Sequence, residues 1–555
     1  MTVGRKLSLA SLAIVVVVSN FAAQIRQDNS AERKRHITVP PEKRPVKMID
    51  ADLIEATIPK LQSHYASGKY SAVQVTRWHL ERIAKYDPVY NAFIKLFPEQ
   101  ALARAAQLDM ANRSGKKRGK LWGVPIVVKG SISIAGEITT VGWWGYTRPG
   151  FELRARSNAT AVNRLLEHGA IILGHTNMPD LADSDTTSSS VAGRTGNAYD
   201  PNFSPGGSSG GSATAVAANF AVAALGTDGG NSIRNPASNL SLVGVLPTHG
   251  LVSIAGVHAS TWLRERTGPM TRTVADAAIM LDVLSGPDAK DPKTSESARR
   301  RPETFTAFLR AGALKGKRFG VPKFVIDGTP SKPNPRYWNN ATSPASRAAF
   351  MKAVDELRAA GATVIFADDI LPESFRELVL KIQDFRYHRQ GVSTFMAEYG
   401  PGFYRSTAEF EALAGINYPS EGMFGTDSKY TLETDPEAEK RYFEPRQQAL
   451  QILRDTMKRY ELNGFVYPPL QIPPTEERGR PLPRDFPSDG PYSATGWLNR
   501  LGIPAVVVPA GFYGSGLPYG LEIAADHWMD GELLGYAFDF EQRTRHRKPP
   551  VLRTK

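Results

Sequence analysis

The chain has 555 residues, of which 41% are hydrophobic and 22% are charged, so disorder, collagen and coiled coil are excluded as descriptions of the whole chain. The absence of cysteine excludes a disulfide framework, a thiolate nucleophile and cysteine-ligated zinc. Within the formal net charge of +13, Arg5 and Lys6 contribute +2, residues 24–47 +4 and residues 543–555 +6. Because the remaining chain is close to neutral, we expect solvated basic ends and no nucleic-acid partner.

The first residues have the pattern of a targeting segment. Arg5 and Lys6 precede twelve uncharged apolar or small residues, 7–18, a length typical of a signal-peptide core and too short to span a bilayer. We therefore expect residues 1–23 to be a signal peptide or an N-terminal anchor, and the protein to be exported, with residues 7–23 as a possible membrane tether. Residues 24–47 are basic, contain prolines and are expected to form a linker.

From residue 48 onwards, helical patterns appear and then alternate with short apolar strands. The predicted helices include 98–113, 158–168, 212–219, 346–360 and 531–542, and the predicted strands are 124–128, 170–173, 221–225, 363–366 and 504–509. This alternation predicts α/β layers around a mixed or parallel sheet. Residues 367–495 show few strand signals and are expected to form a helical, loop-rich insertion or cap, and residues 543–555 a basic tail.

The densest chemical signal lies in residues 204–237, where two glycine- and serine-rich turns flank an alanine-rich helix and a strand. Glycines allow backbone N–H groups to converge on an anion, either a phosphate or a developing oxyanion. The phosphate-binding pattern GxxxxGK[ST] and the dinucleotide pattern GxGxxG are both absent here. A flexible linker is disfavoured because the serines adjoin segments of buried character.

One interpretation of this segment is a nucleophile elbow. Residues 206–210 match G-x-S-x-G, with Ser208 as the nucleophile. An elbow follows a strand, whereas residues 197–205 contain two prolines and few apolar residues. It also requires a downstream histidine, and no distinctive context surrounds the candidates His249, His258, His388, His527 and His546. The elbow is therefore the weaker interpretation.

Six ordered blocks of the chain resemble the amidase signature family of serine amidohydrolases. They are Gly123 to Lys129, Gly174 to Asp180, Ser204 to Ala213, Gly226 to Pro236, Gly268 to Met270, and Asn499 to Gly520. The resemblance extends over nearly all of residues 50–542. It implies a single large α/β domain, residues 48–542, with a mixed central β-sheet covered by helices, and a hydrolase that needs no metal or other cofactor.

The resemblance also implies a Ser–Ser–Lys triad. Ser232 matches the position of the nucleophile, Ser208 that of a bridging serine whose peptide bond is cis, and Lys129 that of the general base. A serine hydroxyl needs an adjacent base to become a good nucleophile. A lysine can be that base only when it is neutral, which requires burial. Lys129 ends an apolar run, where burial is expected.

Other residues match supporting positions of the family. The backbone amides expected to form the oxyanion hole are those of Gly229, Gly230, Asn231 and Ser232. Further support is expected from Ser209, Asp228 and Arg234. Two residues depart from the family pattern, since Asn231 stands where glycine is usual and Gly130 where aspartate is frequent. Neither departure removes a member of the triad.

The predicted function is hydrolysis of a small-molecule carboxylic amide, or a related ester or carbamate, through an acyl-enzyme on Ser232 with a Lys129–Ser208 relay. The protein is expected to be a monomer or homodimer. One alternative is the amidase subunit of a tRNA-dependent amidotransferase, which would be cytoplasmic and would need partner subunits. Another alternative is a non-catalytic exported binding protein with an amidase fold.

Overall fold

The structure, a computed structural model, describes residues 46–114, 118–259, 261–328, 341–419, 430–477 and 494–555. The expected signal peptide or anchor, and the expected linker up to residue 45, lie outside the described residues. No helix among those described is long and apolar enough to cross a membrane.

The strands of the described residues belong to one large sheet and one two-stranded ribbon. They are β1 (Phe93–Leu96), β2 (Pro125–Lys129), β3 (Ile171–Thr176), β4 (Ser188–Ser189), β5 (Gly193–Arg194), β6 (Ala223–Asp228), β7 (Val243–Leu246), β8 (Arg266–Thr271), β9 (Arg318–Gly320), β10 (Thr363–Ile365), β11 (Gly464–Tyr467), β12 (Ala505–Phe512) and β13 (Pro518–Ala524). The large sheet has eleven strands in the order β1-β3-β2-β6-β8-β7-β12-β13-β11-β9-β10. It is mixed, because β3, β2 and β6 run parallel while β6, β8, β7 and β12 alternate in direction.

Helices cover this sheet. They are α1 (Val46–Leu53), α2 (Ile58–Ala66), α3 (Ala72–Tyr90), α4 (Pro98–Arg113), α5 (Thr160–Glu167), α6 (Gly210–Ala217), α7 (Arg234–Asn239), α8 (Val274–Leu284), α9 (Ser297–Arg300), α10 (Lys323–Asp327), α11 (Pro344–Ala359), α12 (Glu373–Lys381), α13 (His388–Tyr399), α14 (Thr407–Ala414), α15 (Glu444–Tyr460), α16 (Trp497–Leu501) and α17 (Asp530–Thr544). The predicted fold class, an α/β domain with a mixed central sheet covered by helices, is confirmed.

The segment 367–495 is less separate from the sheet than its sequence suggests. It contains α12 to α15, as expected, but also β11, which pairs antiparallel with β13 and parallel with β9 inside the large sheet. With only four residues, all buried, β11 is too short to give a periodic strand signal. The described part of this segment therefore supplies a strand of the sheet as well as helices outside it.

The order of the central strands brings the candidate residues to one edge of the sheet. Lys129 is the last residue of β2 and Asp228 the last residue of β6. Because β2 and β6 are parallel neighbours, their carboxyl ends, where α/β sheets place their sites, meet at the same edge. Ser208 lies two residues before α6, and Ser232 lies between β6 and α7.

The basic tail differs from the expectation of a solvated end. The Arg547 side chain is 11% exposed and donates to both carboxylate oxygens of Glu55, at 2.7 and 2.8 Å. It also donates to the carbonyl of Ser241 at 2.7 Å. Arg553 donates its amide N–H to the Tyr90 hydroxyl at 2.9 Å. Composition alone shows the charge of a tail but not the acceptors that lie far away in sequence, and these acceptors dock the tail on the domain.

Replacing Arg547 with alanine should therefore lower the free energy of unfolding by about 2 kcal/mol, because the half-buried carboxylate of Glu55 would lose its bidentate partner. The matched control is Lys555→Ala, which removes a basic residue from the exposed end of the same tail and should cost less than about 0.5 kcal/mol. Urea unfolding followed by circular dichroism measures both. Equal stability of the two variants would show that the tail does not stabilise the domain.

Candidate active site

Lys129 is a fully buried lysine whose amine points at a serine. Its side chain is 0% exposed, and its Nζ lies 2.6 Å from the Oγ of Ser208. The Nζ also contacts Thr227, at 3.0 Å from Oγ1 and 3.3 Å from the carbonyl oxygen. The apolar strand β2 is buried at every position, which explains why its last residue is removed from water.

Ser208 follows a cis peptide bond from Gly207. Gly207 could not carry a side chain, because a Cβ there would lie 2.3 Å from the carbonyl oxygen of Thr186 and 2.7 Å from that of Ser184. The glycine before Ser208 is therefore required by the close approach of another backbone segment. The turn that contains Gly207 and Ser208 therefore packs against residues 184–186.

A second serine joins this turn to the expected nucleophile loop. The amide N–H of Ser209 donates to the carbonyl of Ser232 at 3.1 Å. The hydroxyl of Ser209 donates to the carbonyl of Thr227 at 3.1 Å and accepts from the Thr227 amide at 3.3 Å. The loop around Ser232 and the turn at Ser208 are thus tied to each other and to the end of β6.

The loop between β6 and α7 presents backbone donors. Among the described residues, no protein acceptor is paired with the amide N–H of Gly229, Gly230, Asn231 or Ser232. Gly229 and Gly230 are half-buried, and Asn231 and Ser232 are 7% and 9% exposed. Successive free N–H groups in a glycine-rich loop form a site for an anion or a developing oxyanion.

Asp228 and Arg234 hold the two ends of this loop together inside the protein. The Arg234 side chain is 0% exposed and donates to Asp228 at 3.1 and 3.2 Å. It also donates to Glu522 at 2.7 Å and to the carbonyl of Gly230 at 2.6 Å. Asn499 donates to Asp228 at 2.8 Å. Because the buried guanidinium of Arg234 binds carboxylates on two strands and the backbone of Gly230, this network fixes the position of the loop.

The charges of the site follow from burial and pairing. Burial lowers the pKa of Lys129 to about 8, against the opposing effect of the carboxylates of Glu265 and Asp228. Burial alone would raise the pKa of Asp228, but the charge and hydrogen bonds of Arg234 prevail and hold that pKa at about 2. The site therefore combines a lysine that loses its proton around pH 8 with an ion pair that stays charged at neutral pH.

Glu265 is a site residue that the sequence did not indicate. Its carboxylate lies against the nucleophile loop, since a Cβ on Gly229 would be 2.8 Å from its Oε2. Burial raises the pKa of Glu265, with the charge of Lys129 and a hydrogen bond from Thr227 acting in the opposite direction. Nothing in its local sequence distinguishes Glu265, because its partners lie on other strands.

The sequence also failed to indicate four other residues of the site individually: Asp185, Thr227, Asn499 and Glu522. Asn499 begins a block that resembles the family, which is a weak signal. By contrast, the structure brings all of the predicted residues to one place: Lys129, Ser208 and Ser232 with Ser209, the loop of Gly229, Gly230 and Asn231, and the pair Asp228 and Arg234. Gly130 is buried as well, and a Cβ there would lie 2.8 Å from Ile94.

Known proteins match this chain over most of its length. The family model described as Amidase matches residues 74–534. The chain is 34% identical over 510 residues to a glutamyl-tRNA(Gln) amidotransferase subunit from Gloeobacter violaceus, covering 89% of this chain and 98% of that protein. The native peptide amidase from Stenotrophomonas maltophilia has a similar structure, with a TM-score of 0.76 and 30% identity over 90% of this chain and 99% of that one. An amidase family protein from Bacillus anthracis matches with a TM-score of 0.75 and 26% identity, over 96% and 98% of the two chains.

Proposed function

Because the chain belongs to the amidase signature family, we propose that it hydrolyses a carboxylic amide through an acyl-enzyme on Ser232. One observation carries the proposal: the buried amine of Lys129 lies 2.6 Å from the Oγ of Ser208, in a turn tied to the loop of Ser232 and its free amides. A base, a relay hydroxyl, a candidate nucleophile and oxyanion donors are the parts that acyl transfer requires.

In this mechanism, neutral Lys129 accepts the hydroxyl proton of Ser208, and Ser208 accepts that of Ser232 as its Oγ attacks the amide carbonyl. The C–O bond forms, and the oxyanion is held by the backbone amides of residues 229–232. The C–N bond then breaks while the proton returns from Lys129 through Ser208 to the leaving nitrogen. Water attacks the resulting ester by the same relay, releases the acid and regenerates Ser232.

The base must be neutral, which sets the direction of the pH dependence. Below the pKa of Lys129, about 8, the ammonium form predominates and cannot accept a proton. The value of kcat/KM should therefore rise with pH until the pH passes this pKa, and the optimum should be alkaline.

Glu265→Gln should shift this profile. The glutamate carboxylate favours the ammonium form of Lys129, so its removal should lower the pKa of the lysine and move the rise of kcat/KM to lower pH. At one pH unit below the wild-type midpoint, activity relative to the plateau should increase by about twofold to fivefold. The control Glu439→Gln changes an exposed glutamate and should leave the profile in place. An unshifted profile in Glu265→Gln would contradict the electrostatic coupling.

Two roles share this chemistry. Similarity to the glutamyl-tRNA(Gln) amidotransferase subunit supports the role of amide-hydrolysing component in such an enzyme, which acts on a tRNA-linked substrate with partner subunits. In that role the expectation of no nucleic-acid partner would be wrong. Similarity to the peptide amidase supports an amidase that acts alone. The apolar run at residues 7–18 supports export, which favours the second role, whereas the curated relatives favour the first.

The roles are separated by assaying the full chain for ammonia release from L-glutamine and from aryl and peptide amides. The assay is run first alone, and then with glutamyl-tRNA and the partner subunits of a glutamyl-tRNA(Gln) amidotransferase from the same organism. Hydrolysis by the chain alone supports an independent amidase. Hydrolysis of glutamine that appears only with partners and tRNA supports the amidotransferase role. The absence of both hydrolysis and covalent serine labelling would contradict the proposal and favour the non-catalytic binding protein.

A further inference from the structure

A buried carboxylate that this mechanism does not use lies beside the nucleophile loop. Asp185 is 7% exposed, and its Oδ1 accepts a hydrogen bond from the Nδ2 of Asn231 at 2.9 Å. Asn231 immediately precedes Ser232 and stands where the family usually has glycine. The carboxylate is thus held by the side chain next to the proposed nucleophile.

The position of Asp185 is fixed from two sides. Asn235, near the start of α7, donates from its Nδ2 to the backbone carbonyl of Asp185 at 3.0 Å. The neighbouring carbonyls of Ser184 and Thr186 pack against Gly207, where a Cβ would lie 2.7 and 2.3 Å from them. The backbone around Asp185 therefore sits between the nucleophile loop and the turn of the bridging serine, with little freedom to move.

One oxygen of this carboxylate is unpaired. The Oδ2 of Asp185 is buried and has no hydrogen-bond partner among the described residues, and no lysine or arginine of that part of the chain forms an ion pair with it. Burial raises the pKa of Asp185 to about 7; the hydrogen bond from Asn231 opposes this rise, and the charges of Asp183 and Asp228 add to it. A buried carboxylate oxygen without a donor is costly, and a donor carried by a ligand would remove that cost.

The hydrogen bonds of this residue indicate which side of the substrate it faces. In the described part of the chain they go to Asn231 and Asn235, next to the nucleophile, and none joins it to Lys129 or Ser208. Since the relay returns its proton to the leaving nitrogen, the leaving group must face the relay. The free oxygen is therefore assigned to the acyl side of the scissile carbonyl.

We propose that Asp185 recognises an amino or ammonium group on the acyl portion of the substrate, with its Oδ2 accepting the hydrogen bond and Asn231 holding the carboxylate in place. The substrate class is then the α-amino carboxamides, whose nitrogen lies one carbon from the scissile carbonyl. An ammonium group also suits this place, because its positive charge would pair with the Asp185 carboxylate, whose negative charge is disfavoured by burial. This inference rests on the proposed function of Ser232.

The test compares L-phenylalaninamide with 3-phenylpropanamide, which differ only in the α-amino group. Wild-type kcat/KM should be higher for L-phenylalaninamide by at least about tenfold. In Asp185→Asn this ratio should fall by at least about tenfold, because the amide keeps the shape but loses the charge. The control Asp455→Asn changes an exposed aspartate on α15 and should leave the ratio within about twofold. The two compounds are also compared as competitors of fluorophosphonate labelling, a readout that needs no turnover.

Equal use of the two compounds by the wild type, or an unchanged ratio in Asp185→Asn, would overturn the inference. The wild-type comparison decides the matter even if the variant does not fold. Failure of the proposed function has a different signature, because a wild-type protein whose Ser232 is not labelled at all would process neither compound. Preference for the amino compound in the wild type, lost in Asp185→Asn and kept in Asp455→Asn, would establish the inference.

Discussion

Replacing Ser232 with alanine should lower kcat for a primary amide by about 10⁴-fold or more and should abolish formation of an acyl-enzyme, since no other group can take over the covalent step. Folding should be unaffected, because the change removes one oxygen at a position that is 9% exposed. The measurement combines steady-state ammonia release with intact-mass analysis of the acylated protein.

The matched control for this variant is Ser515→Ala, which alters an exposed serine in the turn between β12 and β13 and should keep full activity. Activity of Ser232→Ala above about 1% of wild type would contradict the assignment of the nucleophile. In the nucleophile-elbow interpretation, Ser208 is the covalent residue and Ser232→Ala retains its acyl-enzyme, so the two interpretations predict opposite masses.

Lys129→Met should be nearly as damaging, with a loss of kcat of about 10³-fold or more, because the side chain keeps its length and apolar packing but can accept no proton. Lys129→Arg is the matched comparison: it keeps a positive charge and hydrogen-bond donors but cannot be deprotonated in a protein. Both variants should be inactive, and the pH dependence that arises from the pKa near 8 should disappear from any residual activity.

Two further results would support the role of Lys129 as the base. Combining Lys129→Met with Ser232→Ala should cause little loss beyond that of Ser232→Ala alone, because residues that act as one unit are strongly non-additive. Covalent labelling of Ser232 should still occur in Lys129→Met, but slowly. An active Lys129→Arg enzyme would contradict a base that works in its neutral form.

The sequence predicted the parts of the site that depend on local pattern. The apolar run before Lys129 correctly indicated a buried lysine, because a strand buried on both faces has no side open to water. The two glycine- and serine-rich turns, at Ser208 and Ser232, were recognisable because close backbone approach and free amides require glycine at fixed positions. These residues come together through the parallel pairing of β2 and β6.

What the sequence could not predict depends on contacts between distant residues. Glu265 lies against Gly229, and Asp185 is bound to Asn231 across 46 positions of sequence, without a local pattern to mark either carboxylate. The docked position of Arg547 was missed for the same reason, since its partner Glu55 is 492 residues away. The basic C-terminal segment was expected to be solvated, because composition contains no information about acceptors elsewhere in the chain.

Strand β11 shows the same limit for the fold. Residues Gly464–Tyr467 form an interior strand, since they pair with β13 on one side and with β9 on the other. Their own sequence has no strong strand pattern. A four-residue apolar run gives no periodicity that distinguishes a strand from part of a helix. The class of the fold was nevertheless clear, since the alternation of longer helices and strands already requires a layered α/β architecture.

The central claim, that Ser232 is the covalent nucleophile served by Lys129 through Ser208, is tested most directly by mapping the adduct of a fluorophosphonate probe. Wild-type protein is labelled, its intact mass is measured and the modified peptide is sequenced by tandem mass spectrometry. The account predicts a single adduct on Ser232 that is absent from Ser232→Ala and forms slowly in Lys129→Met. An adduct on Ser208, or no adduct on an enzyme that hydrolyses amides, would contradict it.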